Sequence, residues 1–106
     1  MIPNLREKCG VVGIFVPNED VSRLAFFSLY ALQHRGQECA GIASYSDDKI
    51  LLHADMGLVS QVFDEQIIDS LKGNFAIGHT RYSTTGSSSS VNAQPLIVES
   101  ELGSIA

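Results

Sequence analysis

The residue whose type and placement offer the most chemistry is Cys9, at the mouth of the apolar run Gly10-Val11-Val12-Gly13-Ile14-Phe15-Val16. Eight residues, Met1 to Lys8, precede it, and the apolar pattern starts only after them. If that arm is removed, Cys9 carries both a thiol and a free α-amine. A cysteine thiol has a reference pKa of about 8.5 and an α-amine about 7.7–8.0. An amine in that range is a usable general base near neutral pH. It can take the thiol proton directly or through a water, as N-terminal threonine nucleophiles do. While Lys8 is attached, the nitrogen is an amide and cannot act as a base. Taken alone, Cys9 also fits a plainer reading, because free cysteine is among the most buried residue types.

Two further stretches carry reactive or ligand-binding side chains. The first is Gly78-His79-Thr80-Arg81-Tyr82-Ser83-Thr84-Thr85-Gly86. An arginine at the end of an apolar strand does not deprotonate, so it must find an anion. The anion is either a structural carboxylate or a substrate carboxylate, which a guanidinium binds through two parallel hydrogen bonds. Hydroxyls at Thr84 and Thr85 would add to such a pocket. His79, read alone, is a core histidine with its hydrogen bonds satisfied. The Ser87–Ser90 run has neither the lysine nor the glycine spacing of a phosphate-binding loop. The second stretch is Leu32-Gln33-His34-Arg35-Gly36-Gln37-Glu38-Cys39-Ala40-Gly41-Ile42. Its polar density just before a buried strand is unusual. A helix end with an Arg35–Glu38 ion pair explains part of it, and Cys39 reads as a small packing residue.

The elements that must position these residues follow from periodicity. Residues 10–16 suit a strand buried on both faces, and Gly10 and Gly13 mark places where another backbone or a ligand comes close. Pro17-Asn18-Glu19-Asp20 is a turn, and Asn18 or Asp20 can cap a helix over about Val21 to Leu32. Val21, Leu24, Ala25, Ser28, Leu29 and Leu32 form one face of that helix. Phe26, Phe27 and Tyr30 widen its apolar surface, which predicts a sandwiched helix. Gly36 is placed to close it in a left-handed conformation. Strands over Ala40 to Ser46 and Lys49 to Asp55 flank Asp47-Asp48 as a hairpin. One helical turn is predicted at Val59–Phe63, and a short helix capped by Asp64 runs to Leu71 before Gly73. Asn74 to Tyr82 and Leu96 to Ser100 read as strands. The chain stops at Ser104-Ile105-Ala106, within what reads as a return strand, so the expectation is part of a domain rather than a whole one.

Composition excludes several classes of function. The chain has 106 residues, 44% hydrophobic and 18% charged, with a net charge of −5. That balance lacks the basic stripe of a nucleic-acid footprint. No apolar run approaches the ~20 residues that cross a bilayer, and the N-terminus has no long apolar segment of a secretory signal. Two cysteines make no disulfide framework, which fits free thiols and a cytoplasmic location. His34, His53 and His79 show no paired ligand spacing, so no metal site is expected in this stretch.

Taken together, Cys9-Gly10-Val11-Val12-Gly13-Ile14, Leu32 to Ile42, and Gly78 to Gly86 with Ser87-Ser88-Ser89 and Ala93-Gln94-Pro95 resemble the glutaminase domain of the amidophosphoribosyltransferases, which catalyse the committed step of purine synthesis. The similarity runs from Cys9 to Ala106. Any one motif points only to a glutamine amidotransferase with an N-terminal nucleophile. Gln33-His34-Arg35-Gly36-Gln37 combined with Arg81-Tyr82-Ser83-Thr84-Thr85-Gly86-Ser87-Ser88 is specific to this family.

The resemblance implies an α+β fold, a four-layer αββα sandwich of the N-terminal-nucleophile hydrolase type, of which only the N-terminal part is present. It implies that residues 1–8 are a propeptide-like arm and 9–106 the first part of a glutamine amidotransferase domain. It implies that Cys9 attacks the glutamine amide, Arg81 holds the α-carboxylate, the Tyr82 backbone and Thr84 line the same pocket, and Arg35 positions the nucleophile. The ammonia would convert phosphoribosyl pyrophosphate to 5-phosphoribosylamine in a transferase domain outside this sequence. That domain would hold Mg2+ and, in many propeptide-bearing members, a 4Fe–4S cluster, whose four thiolates Cys9 and Cys39 cannot supply. The family's oxyanion hole uses an Asn-Gly pair, which this sequence does not contain. The 106 residues alone are therefore expected to be inactive, and the full-length protein is expected to be a homo-oligomer. Two alternatives stand beside this reading: a glutaminase serving another acceptor, such as a sugar phosphate, and a non-catalytic glutaminase-like binding module.

Overall fold

The computed structural model describes residues 9–33, 37–82 and 93–106. Four strands form one antiparallel sheet: β1 (Cys9–Phe15), β2 (Gln37–Ser46), β3 (Lys49–Met56) and β4 (Phe75–Tyr82), in spatial order β1-β4-β2-β3. Three helices accompany it: α1 (Ser22–Leu32), α2 (Val59–Val62) and α3 (Glu65–Ser70). A separate hairpin, β5 (Val98–Ser100) with β6 (Gly103–Ile105), ends the chain. No helix among the described residues is long and apolar enough to cross a membrane.

Alternation along each strand divides the sheet into two faces. Val12 and Ile14 of β1, Ala40 and Ile42 of β2, and Ala76 of β4 turn toward the helices. There they pack with Val21, Ala25 and Leu29 of the α1 segment and with Val59, Val62, Phe63, Ile68 and Leu71. The β2–β3 hairpin turns on Asp47 and Asp48, both at positive φ, 49° and 63°. Paired left-handed residues give the twist that two antiparallel strands need, as the Asp-Asp pair predicts.

The start of α1 departs from the sequence expectation. Its N-cap is Val21, with no side-chain capping bond. Asp20 instead accepts a hydrogen bond from the Gly73 amide at 2.8 Å, and the Val21 amide donates to the Gly73 carbonyl at 3.0 Å. Asn18 sits in the preceding turn at φ 64°. The helix start is thus tied to the turn before β4 rather than capped locally. Gly73 can fill that turn because its φ is +128° and a Cβ there would run into the Tyr45 carbonyl oxygen. Asp64 caps α3 as its type predicts, accepting from the Ile67 amide at 2.8 Å.

Two burial expectations are corrected. Helix α1 is not sandwiched among the described residues, since Leu24, Phe27 and Tyr30 are 49%, 57% and 53% exposed. Strand β1 is likewise covered on one face only, and Val11 and Phe15 on the other face are exposed. The reason is the same in both cases. These elements have apolar residues all round, while the described helices cover only one side of the sheet. The outer face carries Val11, Phe15, Tyr45, Leu52 and Phe75, all exposed, with Phe15 and Phe75 rings 6.2 Å apart. The helix layer and this sheet are two layers of the four implied by the resemblance. Gly10 does mark a close approach, since a Cβ there would lie 2.9 Å from Thr80 Oγ1, but Gly13 faces open space.

Candidate active site

Strand pairing, rather than sequence proximity, assembles the site. In the β1–β4 ladder Cys9 stands opposite Arg81, and in the β4–β2 ladder Arg81 stands opposite Cys39. Directly opposed residues of an antiparallel pair are about 4.5–5.5 Å apart at Cα and point to the same face. Cys9, Arg81 and Cys39 therefore form one row across three strands, on the face away from the helices. Cys9 opens β1 at the sheet's end and is exposed, while Cys39 is buried. One thiol of the row is accessible to a ligand and the other is packed.

The electrostatics separate the two thiols further. Burial pushes the Cys39 thiol up from the ordinary cysteine value, and the Arg81 charge opposes that shift without cancelling it. Cys39 is a neutral thiol at pH 7, the small packing residue that its Ala-Gly neighbours suggest. Arg81 also acts on His79, two residues before it on the same strand face. Burial first, and the Arg81 charge second, hold His79 below the usual imidazole range. A neutral imidazole lies beside a guanidinium.

The row ends at a β-bulge. Gln37 pairs with Tyr82 and Cys39 with Arg81, so Glu38 is the extra residue. Bulges re-aim side chains and are frequent next to active sites. Here the bulge closes the polar stretch that follows α1, and the Glu38 carbonyl accepts a hydrogen bond from the Gly57 amide at 2.5 Å. Gln33, at the C-cap of α1, accepts from the Val59 amide at 2.9 Å and so ties that stretch to the start of α2. Of the residues read from the sequence as site residues, the structure brings Cys9 and Arg81 together and places the Tyr82 backbone next along β4. Arg35 and Thr84 lie outside the described residues, as does the Arg35 side of the expected Arg35–Glu38 pair.

Three features were not anticipated from the sequence. Cys39 shares the row of Arg81, which becomes visible only when β2 and β4 are paired. The Gln94 backbone lies on the sheet over Gly41, where a Cβ would run into the Gln94 carbonyl oxygen. Finally, Nδ1 of His79 is buried without a hydrogen-bond partner among the described residues, which corrects the reading of a satisfied core histidine. The alternation His79-Thr80-Arg81 in an apolar strand carries the one available signal, since it puts His79 and Arg81 on one face. Among the described residues no group of three or more His, Cys, Asp or Glu side chains could hold a metal ion, so no Mg2+ or iron–sulfur ligand is assigned to them.

No family model matches the chain. Curated relatives do. An amidophosphoribosyltransferase of Synechococcus elongatus is 60% identical over 100 residues, covering 94% of this chain and 20% of that protein. One from Methanothermobacter thermautotrophicus is 49% identical over 104 residues, covering 96% of this chain and 22% of that protein. Among solved structures, the glutamine phosphoribosylpyrophosphate (PRPP) amidotransferase of B. subtilis, complexed with ADP and GMP, matches with a TM-score of 0.76 and 39% identity. That match covers 89% of this chain and 20% of that one. The chain spans about a fifth of the length of the curated relatives it matches. In sequence and in its α+β fold, of the N-terminal-nucleophile hydrolase type, this chain is related to the amidophosphoribosyltransferases through the amino-terminal fifth of their length.

Proposed function

We propose that this chain is the glutamine-hydrolysing part of an amidophosphoribosyltransferase, supplying ammonia to convert phosphoribosyl pyrophosphate to 5-phosphoribosylamine in de novo purine synthesis. The observation that carries the reading is the row: an exposed Cys9 at the open end of β1, directly opposite Arg81. A cation beside an accessible thiol suits a substrate that presents a carboxylate at one end and an electrophilic amide at the other.

The chemistry follows from that pairing. Removal of residues 1–8 frees the Cys9 α-amine. The amine takes the thiol proton as sulfur attacks the side-chain amide carbon of glutamine. The resulting ammonium returns a proton to the leaving nitrogen, and ammonia departs from a γ-glutamyl thioester. Water, deprotonated by the same amine, then attacks the thioester carbon and releases glutamate, restoring the thiol. Arg81 holds the α-carboxylate through paired charged hydrogen bonds, with the Tyr82 backbone and Thr84 completing that pocket and Arg35 positioning the nucleophile. Holding both reacting groups in place contributes through proximity and orientation.

The test is Cys9→Ala in the full-length enzyme. Glutamine-dependent formation of 5-phosphoribosylamine should vanish while turnover with free ammonia persists, and the unsubstituted mature protein should begin at Cys9 by intact mass. Surviving glutamine-dependent turnover would remove Cys9 from the reaction.

A further inference from the structure

The main chain of Gln94 is held to the outer face of the sheet at two points. Its carbonyl oxygen lies so close to Gly41 that a Cβ there would stand 2.1 Å from it. Its amide donates a hydrogen bond to the Cys39 sulfur. Cys39 and Gly41 are alternate residues of β2, and their partners on β4 are Arg81 and His79. Gln94 is therefore laid along the β2 side of the Arg81 column. Ala93 and Pro95 on either side of it are buried, so the whole turn is packed down. Glycine weakens a strand interior, and its usual service there is to let another backbone come close. At Gly41 that backbone is Gln94, and Ala54 Cβ crowds the same spot at 2.7 Å.

The consequence falls on Arg81. Of its two neighbours in the row, Cys39 is buried beneath Gln94 and Cys9 is exposed. A guanidinium keeps its charge and binds a carboxylate through a planar fork, so which side of it lies open decides where the carboxylate sits. We propose that Gly41 and Cys39 are positioning residues for the glutamine site: together they seat the Gln94 main chain as a wall on the Cys39 side of Arg81, so that the guanidinium meets its carboxylate on the Cys9 side. The proposal rests on the glutaminase reading above.

The test compares Gly41→Ala, Cys39→Ala and Cys39→Ser in the full-length enzyme. A Cβ at position 41 must push the Gln94 carbonyl away from 2.1 Å to an ordinary contact, a shift of about 1 Å, and misplacements of that size can cost about a hundredfold. Gly41→Ala should raise the KM for glutamine at least about tenfold while ammonia-dependent turnover stays within about twofold. Cys39→Ala removes the acceptor for the Gln94 amide and should raise the same KM about three- to tenfold, the effect of one hydrogen bond. Cys39→Ser returns an oxygen acceptor and should stay within about twofold of the parent. Serine fills little more space than alanine, so its recovery separates the hydrogen bond from packing. A second readout needs no turnover. Alkylation of Cys9 by a glutamine-like reagent carrying an α-carboxylate should slow in the same order, while alkylation of Cys9 by iodoacetamide should not change. The seat is wrong if Gly41→Ala or Cys39→Ala keeps the parent's KM, if Cys39→Ser is as impaired as Cys39→Ala, or if ammonia-dependent turnover falls in step. Should Gly41→Ala fail to fold, the two Cys39 variants decide by the same criteria. Failure of the glutaminase reading itself would look different, because the parent enzyme would then show no Cys9-dependent use of glutamine.

Discussion

Arg81 stands directly opposite Cys9 in the β1–β4 ladder and directly opposite Cys39 in the β4–β2 ladder, so one cation lies between an exposed thiol and a buried one. On the function proposed above, the arrangement would give the two ends of glutamine different environments. The accessible sulfur can attack, while the guanidinium offers a planar fork to a carboxylate.

Arg81→Ala should therefore weaken glutamine binding more than it slows the ammonia-dependent reaction. A hydrogen bond to a charged group contributes on the order of 1.5–3 kcal/mol, which corresponds to roughly a ten- to hundredfold rise in KM for glutamine. Arg81→Lys keeps the charge but loses the fork, and should fall between. An unchanged KM in Arg81→Ala, measured with glutamine as the varied substrate, would remove the carboxylate from Arg81.

The two thiols should separate by reactivity. Native protein treated with iodoacetamide should be modified at Cys9 and spared at Cys39, whose burial both blocks access and keeps the thiol protonated. In denaturant both should react. Peptide mass mapping before and after unfolding checks this. Labelling of Cys39 in the native protein at the rate of Cys9 would mean that the row is not packed as described.

The sequence carried much of this arrangement and lost the rest for identifiable reasons. The hairpin at Asp47-Asp48, the Asp64 cap and the strand ending at Tyr82 follow from local rules, and the structure bears them out. The α1 N-terminus was misread because Asp20 is a good cap by type, yet its carboxylate is recruited by Gly73, 53 positions away. The burial of α1 and β1 was overestimated because apolar composition records what an element can bury, not which side is covered. Similarly, Cys39 looked like packing alone because its alignment with Arg81 depends on strand order and on the bulge at Glu38. Neither leaves a mark in the sequence.

Asp64 tests the local rules quantitatively. Its carboxylate caps α3, and replacing a capping Asp by Ala costs about 1 kcal/mol. Asp64→Ala should lower the unfolding free energy by that amount, read as a lower denaturant midpoint at unchanged slope, while Asp64→Asn should stay close to the parent. A loss several times larger would show that Asp64 does more than cap a short helix. The neighbouring Arg23–Glu65 pair, bidentate at 2.9 and 2.6 Å but exposed, should matter less.

The acid dependence of stability should carry the signature of His79. Its folded pKa lies below the ordinary imidazole value of about 6.5, so the unfolded chain binds more protons in the window just beneath that value. Stability is then fully present above about pH 6.5 and falls as pH drops through the window toward the folded pKa. The groups facing His79 leave the sign intact. Val11 and Gly41 beside it are uncharged, Gln94, Pro95 and Leu96 carry no charge, Cys9 and Cys39 are thiols one row away, and Arg81 on its own strand is cationic and reinforces the neutral form. Glu65, whose carboxyl Arg23 holds below the usual carboxylate range, contributes its own loss only at lower pH. Thermal unfolding of the parent and of His79→Asn, followed from pH 7.5 down to about pH 5, separates the two. The parent should lose stability across that range, and the variant should lose less. Equal slopes would place the imidazole in contact with water in the folded state.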